Sequence, residues 1–197
     1  FSKSGFFKFF GYLKKKGNKG YFPFLLRKLN REKSKKVEKI ADFIEDEFYG
    51  AFARLYSFSA STFDEISEYL QRIIEEKDNG YYKLSIQYRI LKEEWESEHF
   101  TRSFKDKLID LAKELDHFVK LFDVLSFHME SLDRELKEKY ELEVRLLQSY
   151  QNKLLSIQEN LNNIVNVEGL EYVTWLEIFG DRLDPLFKLN EIGRAHV

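Results

Sequence analysis

Apolar residues recur at alternating three- and four-residue steps through the middle of the chain, and residues 81–168 contain neither glycine nor proline. That spacing predicts long packed helices. The clearest register is Phe104, Leu108, Leu111, Leu115, Phe118, Phe122, Leu125, Met129, Leu132 and Leu136, a seam without a polar interruption. The steps then lengthen through Tyr140, Val144 and Leu147, which locally unwinds a supercoil. They resume at Tyr150, Leu154, Ile157, Leu161 and Ile164. Residues 103–166 therefore form either one rod of roughly 95 Å, at 1.5 Å per residue, or a helical hairpin with a glycine-free turn between 126 and 133.

Upstream, Val37, Ala41, Ile44, Phe48, Ala51, Leu55 and Phe58 predict a helix over 32–58. Small polar residues follow, and Thr62 with Glu65 has the form of a capping box, so a second helix is expected to start there and to stop at Asp78, Asn79 and Gly80. Tyr81, Leu84, Tyr88, Leu91 and Trp95 predict a third helix over 81–99. A short helix over 170–179, closed by Gly180, and another starting at Asp184 and Pro185 complete the reading. Ile109, Ala112, Val119 and Leu121 widen the main seam beyond what one partner helix covers. The expected fold is all-α, with long antiparallel helices in a coiled-coil-like bundle.

Composition narrows the functional classes. The chain has 197 residues, 43% of them hydrophobic, 34% charged and none cysteine. One domain is the default for that length, and disulfides, thiolate metal sites and thiol nucleophiles are excluded. No run approaches the roughly 20 apolar residues of a membrane span. The formal net charge of −2 hides an asymmetry, because residues 1–36 hold twelve Lys or Arg against the single acid Glu32. This divides the chain into a basic aromatic segment, 1–31, and a helical domain, 32–190. Residues 191–197 read as a translated sequencing adapter, so they are set apart from fold reasoning and the domain is expected to be cut short at its C-terminal end. A cytoplasmic location is expected, at the membrane surface if the basic segment binds lipid.

Two constellations carry candidate chemistry. In the first segment, Lys3, Phe6, Phe7, Lys8, Phe9, Phe10, Lys14, Lys15, Lys16 and Lys19 combine cations with aromatic rings. Drawn as a helix, Phe6, Phe9, Phe10 and Leu13 share one side and Lys8 and Lys15 lie opposite, which suits an anionic lipid surface. The same ingredients suit nucleic acid. A plainer alternative is a first helix that buries its Phe residues and leaves its Lys solvated. The second constellation is a pair of E-x-x-H motifs, Glu96 with His99 and Glu114 with His117, of the kind that grips two irons in carboxylate bundles. The motifs lie too close in sequence for that fold's intervening helix, and His117 falls off the seam. No cofactor is therefore expected. The reading is a non-enzymatic helical interaction or scaffold module whose partners are other helical proteins or a second copy, with an anionic lipid surface and, after it, nucleic acid as further partners.

Overall fold

Three-four spacing produces long helices here, and two-residue alternation produces a small sheet. The computed structural model describes residues 2–15, 19–77, 84–165, 173–180 and 185–192. In chain order the helices are α1 (Lys3–Leu13), α2 (Tyr21–Leu29), α3 (Lys35–Phe43), α4 (Tyr49–Lys77), α5 (Lys92–Trp95), α6 (Glu98–Phe100), α7 (Asp106–Glu130), α8 (Arg134–Lys139) and α9 (Glu141–Val165). The strands are β1 (Leu84–Ile90), β2 (Val173–Gly180) and β3 (Pro185–Ile192). The protein is thus mostly helical with a three-stranded sheet, which corrects the all-α expectation.

A π-helical turn, Ile44–Phe48, joins α3 to α4 without a break. The expected stop after residue 58 does not occur. Ser59 and Thr62 are both buried, spaced between Leu55, Phe63 and Ile66 on the inward face of α4. Small hydroxyl residues act there as spacers in a seam, so Thr62 is inside a helix and caps nothing. Asp78, Asn79 and Gly80 lie outside the described residues.

The strands replace three expected helices. In β1, Leu84, Ile86, Tyr88 and Ile90 alternate with exposed Ser85, Gln87 and Arg89. Period two, carried by β-branched and aromatic residues, prevails over the three-four reading of 81–99, of which Tyr81 is not among the described residues. The same holds for β2, where Leu176 and Ile178 point inward, and Gly180, at φ 97°, ends the strand. Asp184 lies outside the described residues, but Pro185 opens β3, a strand position that needs no ladder donor. The order is β1-β2-β3, antiparallel throughout, with Ile86 opposite Ile178 and Ile178 opposite Phe187. Glu191 and Ile192 pair with Thr174 and Val173, so the division drawn at residue 190 is not an edge of the sheet. Residues 193–197 are not among those described.

The main seam holds its register. Phe104, Leu108, Leu111, Leu115, Phe118, Phe122, Leu125, Met129 and Leu132 are all buried, and Leu136 on α8 is half-buried. Residues 103–166 are not one rod. After α7 the chain turns at Ser131 to Asp133, and Gln151 of α9 then bonds Asp123 at 2.5 Å while Gln158 bonds Asp116 at 3.0 Å. Advancing along α9 means retreating along α7, so the two run antiparallel.

The chain divides into two compact units that cut across the division at residue 31 suggested by charge. Unit 1 comprises Phe1–Phe7, Phe58–Ala112 and Glu159–Val197; unit 2 comprises Lys8–Ser57 and Lys113–Gln158. In unit 1 the sheet packs on helices through Phe187, whose ring lies 5.6 Å from Phe63 and 6.2 Å from Phe104. In unit 2, Phe10, Phe22, Phe48, Phe52, Phe118 and Phe122 form a continuous cluster, the closest rings being Phe22 and Phe48 at 4.1 Å. Each such pair contributes about 0.5–1.5 kcal/mol beyond its buried area.

Candidate functional site

In unit 2 the basic segment keeps its cations outside and most of its rings inside. Phe9, Phe10 and Leu13 are buried, as are Phe22, Leu25, Leu26 and Leu29 of α2. In unit 1, Phe6 is buried edge-on against Phe63, and half-buried Phe7 meets the same ring. Insertion of Phe6, Phe9 and Phe10 into a headgroup region is therefore corrected: these rings are committed to the core, where burial and ring-ring contact hold them. Lys3 lies 3.8 Å from Asp64, and the Lys14 ammonium sits 3.8 Å above the Tyr49 ring. Lys8, Lys15 and Lys19 remain exposed, and Lys16 lies outside the described residues. Backbone bonds between Lys15 and Lys19, 2.6 and 3.3 Å long, bring those two residues side by side. Gly20 approaches the end of α1 so closely that a Cβ on it, at φ 113°, would lie 2.8 Å from the Leu13 carbonyl oxygen. Beside these cations, Tyr12 is 53% exposed and Phe24 44%.

Unit 1 carries a second feature, a polar cleft of about 240 Å³. One wall is α4, which presents Glu65, Glu68, Tyr69 and Arg72 at steps of three, one and three residues. The other is the continuous helical run 98–130, which presents His99, Arg102, Ser103 and Lys107. Ser97 starts that run by accepting the Phe100 amide at 3.2 Å, and a π-helical turn, Thr101–Lys105, carries Arg102 and Ser103. Lys107 pairs with Glu65 at 2.5 Å, an interaction that raises the ammonium pKa. Arg102 pairs with Glu98 at 2.5 Å. Arg72 Nη1 lies 2.5 Å from His99 Nε2. Since a guanidinium has no acceptor, Arg72 donates and Nε2 is the lone-pair nitrogen.

Tyr69, a lining residue, is held from behind by a carboxylate clasp. Tyr69 and Tyr88 donate to the two oxygens of Glu94 at 2.7 and 2.6 Å. Burial first, and the Glu94 carboxylate second, push both phenols well above the usual tyrosine range. They stay protonated donors through neutral pH.

Each E-x-x-H pair stands within its own unit. Glu96 and His99 belong to unit 1, Glu114 and His117 to unit 2. His99 spends its lone pair on Arg72, a cation that disfavours a metal ion beside it. Glu96 and His117 are exposed and Glu114 is half-buried. Among the described residues no group of three or more His, Cys, Asp or Glu side chains is arranged to hold a metal. The motifs did locate one cleft residue, His99. The others were legible only as two polar faces at helical spacing, which ordinary solvated helices also show.

Among the described residues no helix is long and apolar enough to cross a membrane. Comparison with family models, with curated proteins and with solved structures gives no match.

Proposed function

We propose that the chain is a non-enzymatic helical interaction module that docks on anionic lipid surfaces through the exposed cations of its first segment. The observation supporting this is the sorting of residues in unit 2: Phe9 and Phe10 are inside, while Lys8, Lys15 and Lys19 stay in solvent with Tyr12. Arg27 and Arg31, at and just beyond the end of α2, add exposed cations, and Phe24 adds a ring. Attraction in this reading is electrostatic, at about 1 kcal/mol per basic residue near the surface. Tyr12 and Phe24 supply shallow apolar contact.

The test is co-sedimentation of the full chain with vesicles containing phosphatidylserine, against vesicles of phosphatidylcholine alone. Deleting residues 1–31 is the wrong perturbation, because it removes core side chains. Charge reversal at Lys8, Lys15 and Lys19 leaves the core intact and should weaken binding by more than about a hundredfold, because losing the three cations alone removes about 3 kcal/mol at about 1 kcal/mol per charge, before the repulsion of three new anions is added. Binding to anionic vesicles that ignores both the reversal and added salt would sink the proposal. So would preferential capture of single-stranded nucleic acid over vesicles at equal salt, which would move the same cations to the other polyanion.

A further inference from the structure

We infer that the unit 1 cleft holds a small oxyanion of the phosphate-monoester class, gripped by Arg72, His99 and Ser103. Charge compensation along the cleft is uneven. Lys107 and Arg102 each face a carboxylate at 2.5 Å, from Glu65 and Glu98. Arg72 has no carboxylate within pairing distance among the described residues, and its guanidinium is turned onto an imidazole instead. Arg72 and His99 are two cation-forming groups in direct contact, with nothing negative between them.

An oxyanion resolves that contact. The planar guanidinium presents paired N–H groups matched to two oxygens of one phosphate. The His99 ring, released from Arg72, offers an N–H donor from the facing wall. Ser103, with no hydrogen bond of its own among the described residues, offers a hydroxyl from the same wall. The phenol of Tyr69 points its proton at Glu94, so it is a wall and not a donor to the cleft. Glu68 opposes the ligand, because its carboxylate lines the same space without a partner among the described residues. At about 240 Å³, the cleft is below the roughly 300–1,000 Å³ of pockets for drug-sized ligands. A phosphate group with a short attachment fits; an extended cofactor does not.

Free phosphate and a phosphorylated side chain share this chemistry, and the experiment separates them. The full chain, isotopically labelled, is titrated at constant ionic strength with inorganic phosphate, with a short phosphoserine peptide and with its unphosphorylated form, using sodium chloride as the blank. Saturable shifts at Arg72, His99 and Ser103, with a Kd near or below about 1 mM, are expected for at least one phosphate ligand. The tighter of the two names the source. Arg72→Gln, at an exposed position, should weaken binding about tenfold or more, as loss of a charged hydrogen-bond pair does. Glu68→Gln should tighten it severalfold by removing the opposing charge. Shifts that match the chloride blank, equal binding of the unphosphorylated peptide, or unchanged affinity in both variants would overturn the inference.

Discussion

Replacing Lys28 by methionine should cost far more stability than replacing its partner, Glu143, by leucine. The two form an ion pair in unit 2 between side chains of very different exposure, Lys28 at 34% and Glu143 at 1%. Glu143 is therefore the group that burial penalises. Only one of its oxygens is met: Oε1 receives the Lys28 ammonium, while Oε2 is buried with no hydrogen-bond partner among the described residues. Tyr21 donates to the Glu143 backbone carbonyl at 2.7 Å, not to the carboxylate, and that bond survives any side-chain change. Removing one member of a fully buried pair costs about 3–5 kcal/mol. Because Lys28 is a third exposed, part of its attraction is already screened by water, and about 2–4 kcal/mol is expected for Lys28→Met. In Glu143→Leu the lysine can turn outward to solvent, so the cost should fall below about 1 kcal/mol. The double variant should recover most of the loss seen in Lys28→Met alone. Urea denaturation followed by circular dichroism measures all three against the wild type, provided the slope of the transition is unchanged. If Glu143→Leu proves as damaging as Lys28→Met, the carboxylate is a net source of stability and the desolvation argument fails.

Two further perturbations follow from backbone and phenol chemistry. Gly20→Ala forces a Cβ to 2.8 Å from the Leu13 carbonyl oxygen at φ 113° and should destabilise by about 1–3 kcal/mol. Gly11→Ala, inside α1 with nothing within 4 Å, should stabilise by about 0.5–1 kcal/mol; thermal unfolding that moves both variants the same way would contradict this. Tyr49 and Tyr140 are raised from 10.0 to about 12, chiefly by burial, and Tyr21, Tyr69 and Tyr88 are raised as well. The folded state thus holds these protons more tightly than the unfolded one. Stability is complete below pH 10 and falls as pH rises through about 12, so the urea midpoint should drop over that window while phenolate absorbance appears together with unfolding. Phenolate formation well before unfolding would refute it.

The parts of the fold readable from the chain are those where one period has no rival. From Phe104 to Leu132 every third or fourth residue is apolar, over about seven helical turns and the bend after them, and every one of those side chains is buried. Around β1 two periods coexist. Leu84, Tyr88 and Leu91 fit a helix, whereas Leu84, Ile86, Tyr88 and Ile90 fit a strand, and Leu91 is 53% exposed. Seven residues are too few for spacing to decide; pairing with β2, distant in sequence, decides it. The expected cap at Thr62 failed for a related reason. A threonine three residues before a glutamate signals a helix start only if the preceding residues leave the helix. Here buried Ser59 carries the seam across.

The candidate site was harder to read because its residues use the grammar of a solvated face. Glu65, Glu68 and Arg72 sit at steps that any exposed helix shows, and a charged i to i+4 array needs no function to explain it. What separates a cleft wall from a solvated face is which charges remain uncompensated once another element arrives, and that depends on contacts far apart in sequence. Lys107 reaches across to Glu65, but Glu68 and Arg72, at the favourable spacing on one helix, do not pair. Arg72 instead crosses to His99. A guanidinium that leaves a carboxylate four residues away for an imidazole on another helix gives up Coulomb attraction. Spacing along α4 predicts the opposite choice, so the site lies in the tertiary contact that overrules it.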